Sequence, residues 1–163
     1  MDTGTVALEG TTLSVVMNER IHKILIGVPP DGHPLNPSQK AQIIAEKLKV
    51  WVEQGEVFSY PFETGGTPFQ RAVYEAVQEI PKGRVTTYKA VAEKMGSKAC
   101  RAVGQALHAN PVPFLVPCHR VIGSDRGLTG FGGGVDLKKK ILENEGVEFE
   151  NGKVKREYIL KEF

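Results

Sequence analysis

A chain of 163 residues, 40% hydrophobic and 25% charged, can build one ample domain or two small ones. It has neither an apolar run near the roughly 20 residues of a membrane span nor a charged-then-apolar leader, so a soluble, cytoplasmic protein is expected. Two cysteines (Cys100, Cys118) and four scattered histidines (His22, His33, His108, His119) do not make a disulfide scaffold or a zinc site, and no metal or cofactor is expected.

Residues 5–9, 12–17 and 21–28 are rich in Val, Ile, Leu and Thr, with a turn at Asn18-Glu19, and predict a small antiparallel sheet. Beyond the Pro/Gly-rich stretch Pro29 to Pro34, Asn36-Pro37 reads as a helix N-cap followed by Pro at the first helical position. Ile44, Leu48 and Trp51 share one face of that helix, and Gly55 stops it. Nothing in residues 1–58 offers a catalytic constellation, so this part is expected to be a scaffold domain. Residues 59–66, with Pro61 and Gly65-Gly66, read as a linker to a second domain over residues 67–163.

Thr67-Pro68-Phe69-Gln70 opens the next helix with both partners of a capping box, and Phe69, Val73 and Val77 form its apolar face until Pro81 and Gly83 end it. A helix from Tyr88 to Met95, a tight turn at Gly96, and a third helix capped by Ser97 and running to about Ala109 make a helix-turn-helix. The last of these carries Ala99, Ala102, Gly104, Ala106 and Ala109, small side chains that suit close approach to another helix or to a duplex. Arg101 among them favours the duplex, because a long cation can reach past so smooth a surface. Residues 80–124 also hold seven basic side chains against one acidic, while residues 1–79 hold six against ten and residues 125–163 eight of each. A positive central segment is what a phosphate-contacting face needs, although an ordinary solvated surface would give the same count.

Pro117-Cys118-His119-Arg120-Val121 puts a thiol beside an imidazole. The apolar run Phe114-Leu115-Val116 ahead of it predicts an extended, buried segment, and Pro117 restricts the backbone further. A thiol becomes a strong nucleophile when a base takes its proton, and the base in turn needs orienting. Glu145, which ends the helical run Val135 to Glu145 just before Gly146, is the candidate carboxylate for His119; a solvated helix-end carboxylate is the alternative. The Gly-rich run Gly127 to Gly134 lacks the lysine and serine of a nucleotide phosphate loop.

Asn110-Pro111-Val112-Pro113 followed by Pro117 to Val121, together with Ile141-Leu142-Glu143-Asn144-Glu145-Gly146, resembles the O6-alkylguanine-DNA alkyltransferases, with dense matches over about residues 60–150. The resemblance implies an α+β fold: a small ribonuclease-H-like α/β domain followed by a mainly helical domain with a winged-helix-like helix-turn-helix. It implies direct-reversal DNA repair, a single transfer of an alkyl group from guanine O6, and conceivably thymine O4, to Cys118. A relay of Cys118, water, His119 and Glu145 would favour the thiolate. Tyr88 would donate to the base, although a tyrosine anchoring its helix in the core is a serious rival reading. The carbonyls of Cys118 and Val121 would accept from the exocyclic amine. Pro113, Val121, Phe131, Gly132 and Gly133 would line the base pocket, Phe131 standing where many relatives have Tyr. Arg101 would fill the gap left by the flipped base, Asn110 would hold the turn before the cysteine segment, and Ala102, Gly104 and Arg120 would contact DNA. The implied partner is double-stranded DNA carrying O6-alkylguanine, bound by a monomer. Competing readings are a non-catalytic sensor of alkylated DNA, opposed by the presence of Cys118, a helix-turn-helix regulator, and a cysteine hydrolase.

Overall fold

The computed structural model describes residues 1–27, 36–128 and 134–163. Three strands, β1 (Asp2–Leu8), β2 (Thr11–Met17) and β3 (Ile21–Ile26), form an antiparallel meander in the order β1-β2-β3. Helix α1 (Gln39–Gln54) lies on that sheet through Ala41, Ile44, Ala45, Leu48, Trp51 and Val52, the spacing of a single helical face. It packs so close to β1 that a Cβ at Gly4 would run into the Ala41 carbonyl. The expected cap at Asn36 is displaced to Ser38, whose side chain accepts from Ala41 N at 3.1 Å. Asn36 pairs instead with Thr3, the backbone N–H of each donating to the other residue, so β1 takes it out of the helix start. Gly55 ends α1 as expected, with φ 72° and its N–H on Trp51 O.

The second part of the chain begins with α2 (Pro68–Val77), whose Thr67–Gln70 capping box is complete. Strand β4 (Val85–Thr87) runs into α3 (Tyr88–Lys94), which is followed by α4 (Cys100–His108). Helix α4 starts later than expected. Ser97 Oγ accepts from Ala99 N and tightens the inter-helix turn instead of capping the helix, and Gly96 supplies the positive φ of 71° there. The Tyr74 hydroxyl donates to Ala106 O at 2.9 Å in the interior, tying α2 to α4. A 3-10 turn (Cys118–Arg120), β5 (Val121–Ile122), α5 (Val135–Asn144), a hairpin of β6 (Phe149–Glu150) and β7 (Lys153–Val154), and β8 (Ile159–Leu160) complete the chain. Strand β4 is central in a parallel sheet ordered β5-β4-β8. The fold is mixed α+β, as expected.

The main hydrophobic cluster takes residues from both parts, from Val6 and Trp51 through Val73 and Leu107 to Ile141. A smaller cluster of Val85, Ile122, Leu142, Val147 and Val154 lies beneath the parallel sheet. The segment before Cys118 is not extended. It folds as a tight turn in which Pro113 bridges Val116, and Phe114, fully buried, sits at φ 74°. A left-handed backbone at a large side chain costs on the order of 1–3 kcal/mol. The ring offsets this by packing against Trp51 and His119, each with centroids 6.0 Å away. Asn110 pins the same turn, accepting from Val112 N at 3.0 Å and donating to Val116 O at 2.9 Å. Among the described residues no helix is long and apolar enough to cross a membrane.

Candidate active site

Cys118 opens the 3-10 turn, its N–H donating to Val116 O at 2.7 Å. So short a turn sends consecutive side chains in different directions. Cys118 keeps part of its surface open, whereas His119 and Arg120 point inward. Both meet Glu145, the residue that closes α5. His119 Nε2 lies 3.1 Å from Glu145 Oε2; Arg120 donates from Nε to Oε1 and from Nη2 to Oε2, both at 2.9 Å, and from Nη1 to Ile80 O. A third donor reaches the same carboxylate from the other end of the chain: the Trp51 indole N–H, at 2.7 Å from Oε2.

Burial alone would raise the Glu145 pKa, but the hydrogen bonds and charges of His119 and Arg120 outweigh it and hold the carboxyl well below the usual range. A charged His119 would deepen that depression. Burial, however, pushes the imidazole below its ordinary value against the pull of Glu145, with the Arg120 and Lys138 cations adding to the effect. Arg120 is therefore the fixed counter-charge, and His119 is neutral at neutral pH. Nε2 carries its proton toward Glu145, and Nδ1 is bare; among the described residues Nδ1 is the buried side-chain nitrogen or oxygen without a hydrogen-bond partner. Crowding by protein raises the Cys118 pKa against the lowering effects of Asn110 and Lys138. Burial thus opposes the thiolate that the resemblance implies, while Asn110 and Lys138 favour it.

Lys138 was not anticipated. It is 1% exposed, donates to Val121 O at 2.8 Å, and has its pKa pushed down to about 8 by burial, with Cys118 acting in the opposite sense. In sequence it hides in Lys138-Lys139-Lys140, which reads as a solvated face. The signal lies in its spacing, because Lys138, Ile141, Leu142 and Glu145 fall on one buried stripe of α5. Trp51 had no local signal beyond the rule that a buried indole N–H needs an acceptor.

Tyr88 is the first residue of α3, half-buried, with its ring against Gly104. Both line a cavity of about 670 Å³ with Lys89, Cys100, Arg101, Gln105, His108 and Ser124; Cys118 is not among its lining residues. Arg101 is exposed at the start of α4, and Ala102, Asn110 and Pro113 are half-buried. Val121 is fully buried; its N–H donates to Cys118 O and its own carbonyl accepts from Lys138. Each of those two carbonyls thus has one lone pair engaged and one left. Arg120 differs from its expected place on a DNA face: it is 6% exposed, while the other six basic residues of segment 80–124 are exposed. Phe131, Gly132 and Gly133 lie outside the described residues.

A family model described as the 6-O-methylguanine DNA methyltransferase DNA-binding domain matches residues 68–147. A Methanothermobacter thermautotrophicus protein named methylated-DNA–protein-cysteine methyltransferase is 38% identical over 130 residues, covering 78% of this chain and 73% of its own. The chain belongs to the methylated-DNA–protein-cysteine methyltransferase family. A Haemophilus influenzae family member is 44% identical over 113 residues, or 65% of this chain and 63% of that one. The matched stretch spans between about half and two thirds of the length of several curated family members. Among solved structures, the Mycobacterium tuberculosis OGT in complex with DNA superimposes with a TM-score of 0.79 at 30% identity, covering 89% of this chain and 92% of that one. Cys118, His119, Lys138 and Glu145 fall inside the matched family model, and Trp51 falls outside it.

Proposed function

We propose that this protein repairs DNA by moving the alkyl group of O6-alkylguanine onto Cys118 Sγ, once per molecule. The observation that carries this reading is the buried His119, next in sequence to the partly open Cys118, with Nε2 held by Glu145 and Nδ1 without a hydrogen-bond partner among the described residues. The naming of the relatives as methylated-DNA–protein-cysteine methyltransferases and the DNA complex of the Mycobacterium tuberculosis structure support it. In this reading residues 1–58 form a ribonuclease-H-like scaffold, residues 59–66 a linker, and residues 67–163 an alkyltransferase domain with a winged-helix-like DNA-binding element. The protein acts as a monomer on double-stranded DNA.

The target base first leaves the stack, at a cost of a few kcal/mol. Arg101, exposed beside the small residues Ala102 and Gly104, takes its place. The Cys118 proton passes to His119 Nδ1 through a bridging water, and Glu145 stabilises the imidazolium. The thiolate attacks the alkyl carbon; the S–C bond forms as the C–O6 bond breaks, and the Tyr88 hydroxyl donates to the departing guanine. The free lone pairs of the Cys118 and Val121 carbonyls can accept the exocyclic amine, which adenine lacks at that position. The product is a stable thioether, so the protein is both reagent and acceptor.

Incubation with a duplex containing O6-methylguanine should add one methyl group to the peptide carrying Cys118, in step with loss of the lesion. A lesion still intact after prolonged exposure to excess folded protein would overturn the reading. Arg101→Ala should slow repair of the duplex about tenfold while sparing reaction with the free modified base. Equal duplex rates for the two proteins would remove Arg101 from the finger role.

A further inference from the structure

Helix α1 is joined to the end of α5 at three places. The Trp51 indole N–H donates to Glu145 Oε2 at 2.7 Å, Asn144 Nδ2 donates to Val52 O at 2.7 Å, and Gly55 faces the Asn144 carbonyl so closely that a Cβ there would strike it. The second and third contacts fix the backbone of the joint, and the first reaches the carboxylate that orients His119. Trp51 is almost fully buried, and its ring stands edge-on to the imidazole at 82° with centroids 6.5 Å apart.

We propose that Trp51 is a positioning residue for alkyl transfer: its N–H shares Glu145 Oε2 with His119 Nε2 and so holds the imidazole in the orientation that leaves Nδ1 without a partner among the described residues. The proposal rests on the functional reading above and goes beyond it, because it places part of the proton-transfer machinery in the N-terminal segment. An oxygen that already accepts from an indole and from Arg120 is a poor proton acceptor, so the shared proton stays on His119. The charged and titratable groups around that imidazole are Glu145 and Lys138 from α5 and Arg120 and Cys118 from the 3-10 turn. Trp51 is the neutral donor that completes the set.

Trp51→Phe keeps an aromatic ring in the joint and deletes the donor. The expected result is a methyl-transfer rate constant lower by about tenfold, the usual effect of removing a hydrogen bond to a charged group. Glu145, with one donor fewer, should hold the His119 proton more tightly, so the acid limb of the pH–rate profile should move to higher pH. A role in packing alone would lower stability without moving that limb. An unchanged rate and an unshifted limb in a folded variant overturn the proposal. Because the chain has a single tryptophan, its indole N–H gives one nuclear magnetic resonance signal in the wild-type protein, readable even where the variant does not fold. That signal should be shifted downfield, be slow to exchange, and move both as His119 titrates and when Cys118 is methylated. A signal insensitive to both events also overturns the proposal. Wild-type protein that leaves O6-methylguanine intact defeats the functional reading and this role together, a result distinct from normal transfer by both proteins.

Discussion

Replacing Glu145 with alanine is expected to lower the unfolding free energy by about 3–5 kcal/mol and to abolish alkyl transfer in the molecules that still fold. The carboxylate accepts from Trp51, His119 and twice from Arg120, all of them inside the protein. Its removal leaves a buried guanidinium with only the Ile80 carbonyl, and an uncompensated interior cation is among the most damaging single changes. Urea unfolding at neutral pH measures the effect, and a loss below about 1 kcal/mol would mean that the hub is far more solvated than its geometry indicates. Glu145→Gln keeps the volume and one acceptor but not the charge, and turns an amide donor toward groups that are themselves donors.

Acid should reproduce part of this loss. The Glu145 carboxyl is held far below its ordinary 4.5, so its contribution is complete above that value and is lost as pH falls beneath it. His119 acts in the same sense. Burial lowers its pKa from 6.5, so the unfolded chain takes up that proton first as the solution is acidified. The stability of the wild-type protein should therefore fall steeply on acidification, and that of Glu145→Gln less steeply.

Lys138→Met is expected to slow transfer on the order of a hundredfold, the usual effect of removing a preorganised group that stabilises developing negative charge. The lysine ammonium is the buried cation whose charge lowers the Cys118 pKa, and it also holds the Val121 carbonyl. Its own pKa of about 8 gives the rate a second limb. Raising the pH through that value removes the cation while Cys118, its pKa raised by burial, is still largely a thiol. Wild-type rates should decline above about pH 8, and in Lys138→Met that decline should vanish from an already slow baseline. A wild-type rate that climbs steadily through this range would show that the sulfur ionises without help from the lysine.

Local rules carried most of what the sequence revealed. The Thr67–Gln70 capping box, the left-handed stop at Gly55 and the turn at Gly96 each depend on a few neighbouring residues, and each stands where it was expected. The pairing of His119 with Glu145 was legible because a base needs an orienting acid and the run Ile141 to Gly146 resembles the family segment that supplies one. Competition from distant partners decided the differences. Asn36 lost its capping role to Thr3, 33 residues away, and Arg120 was drawn inward by Glu145, 25 residues on. Trp51 reaches the same carboxylate across 94 residues, a separation over which no periodicity or motif speaks. Lys138 was obscured by chemistry instead: three consecutive lysines look alike until α5 turns one of them inward.

Phe114 shows what this arrangement demands of its neighbourhood. Glycine at that position would relax the backbone but would withdraw the ring wedged between indole and imidazole, and a β-branched residue would resist the left-handed dihedral while filling the space poorly. Opposing requirements of shape and torsion leave a narrow choice of side chain there. Any replacement there would thus be tested twice over, once by the fit of the ring and once by the dihedral it must hold.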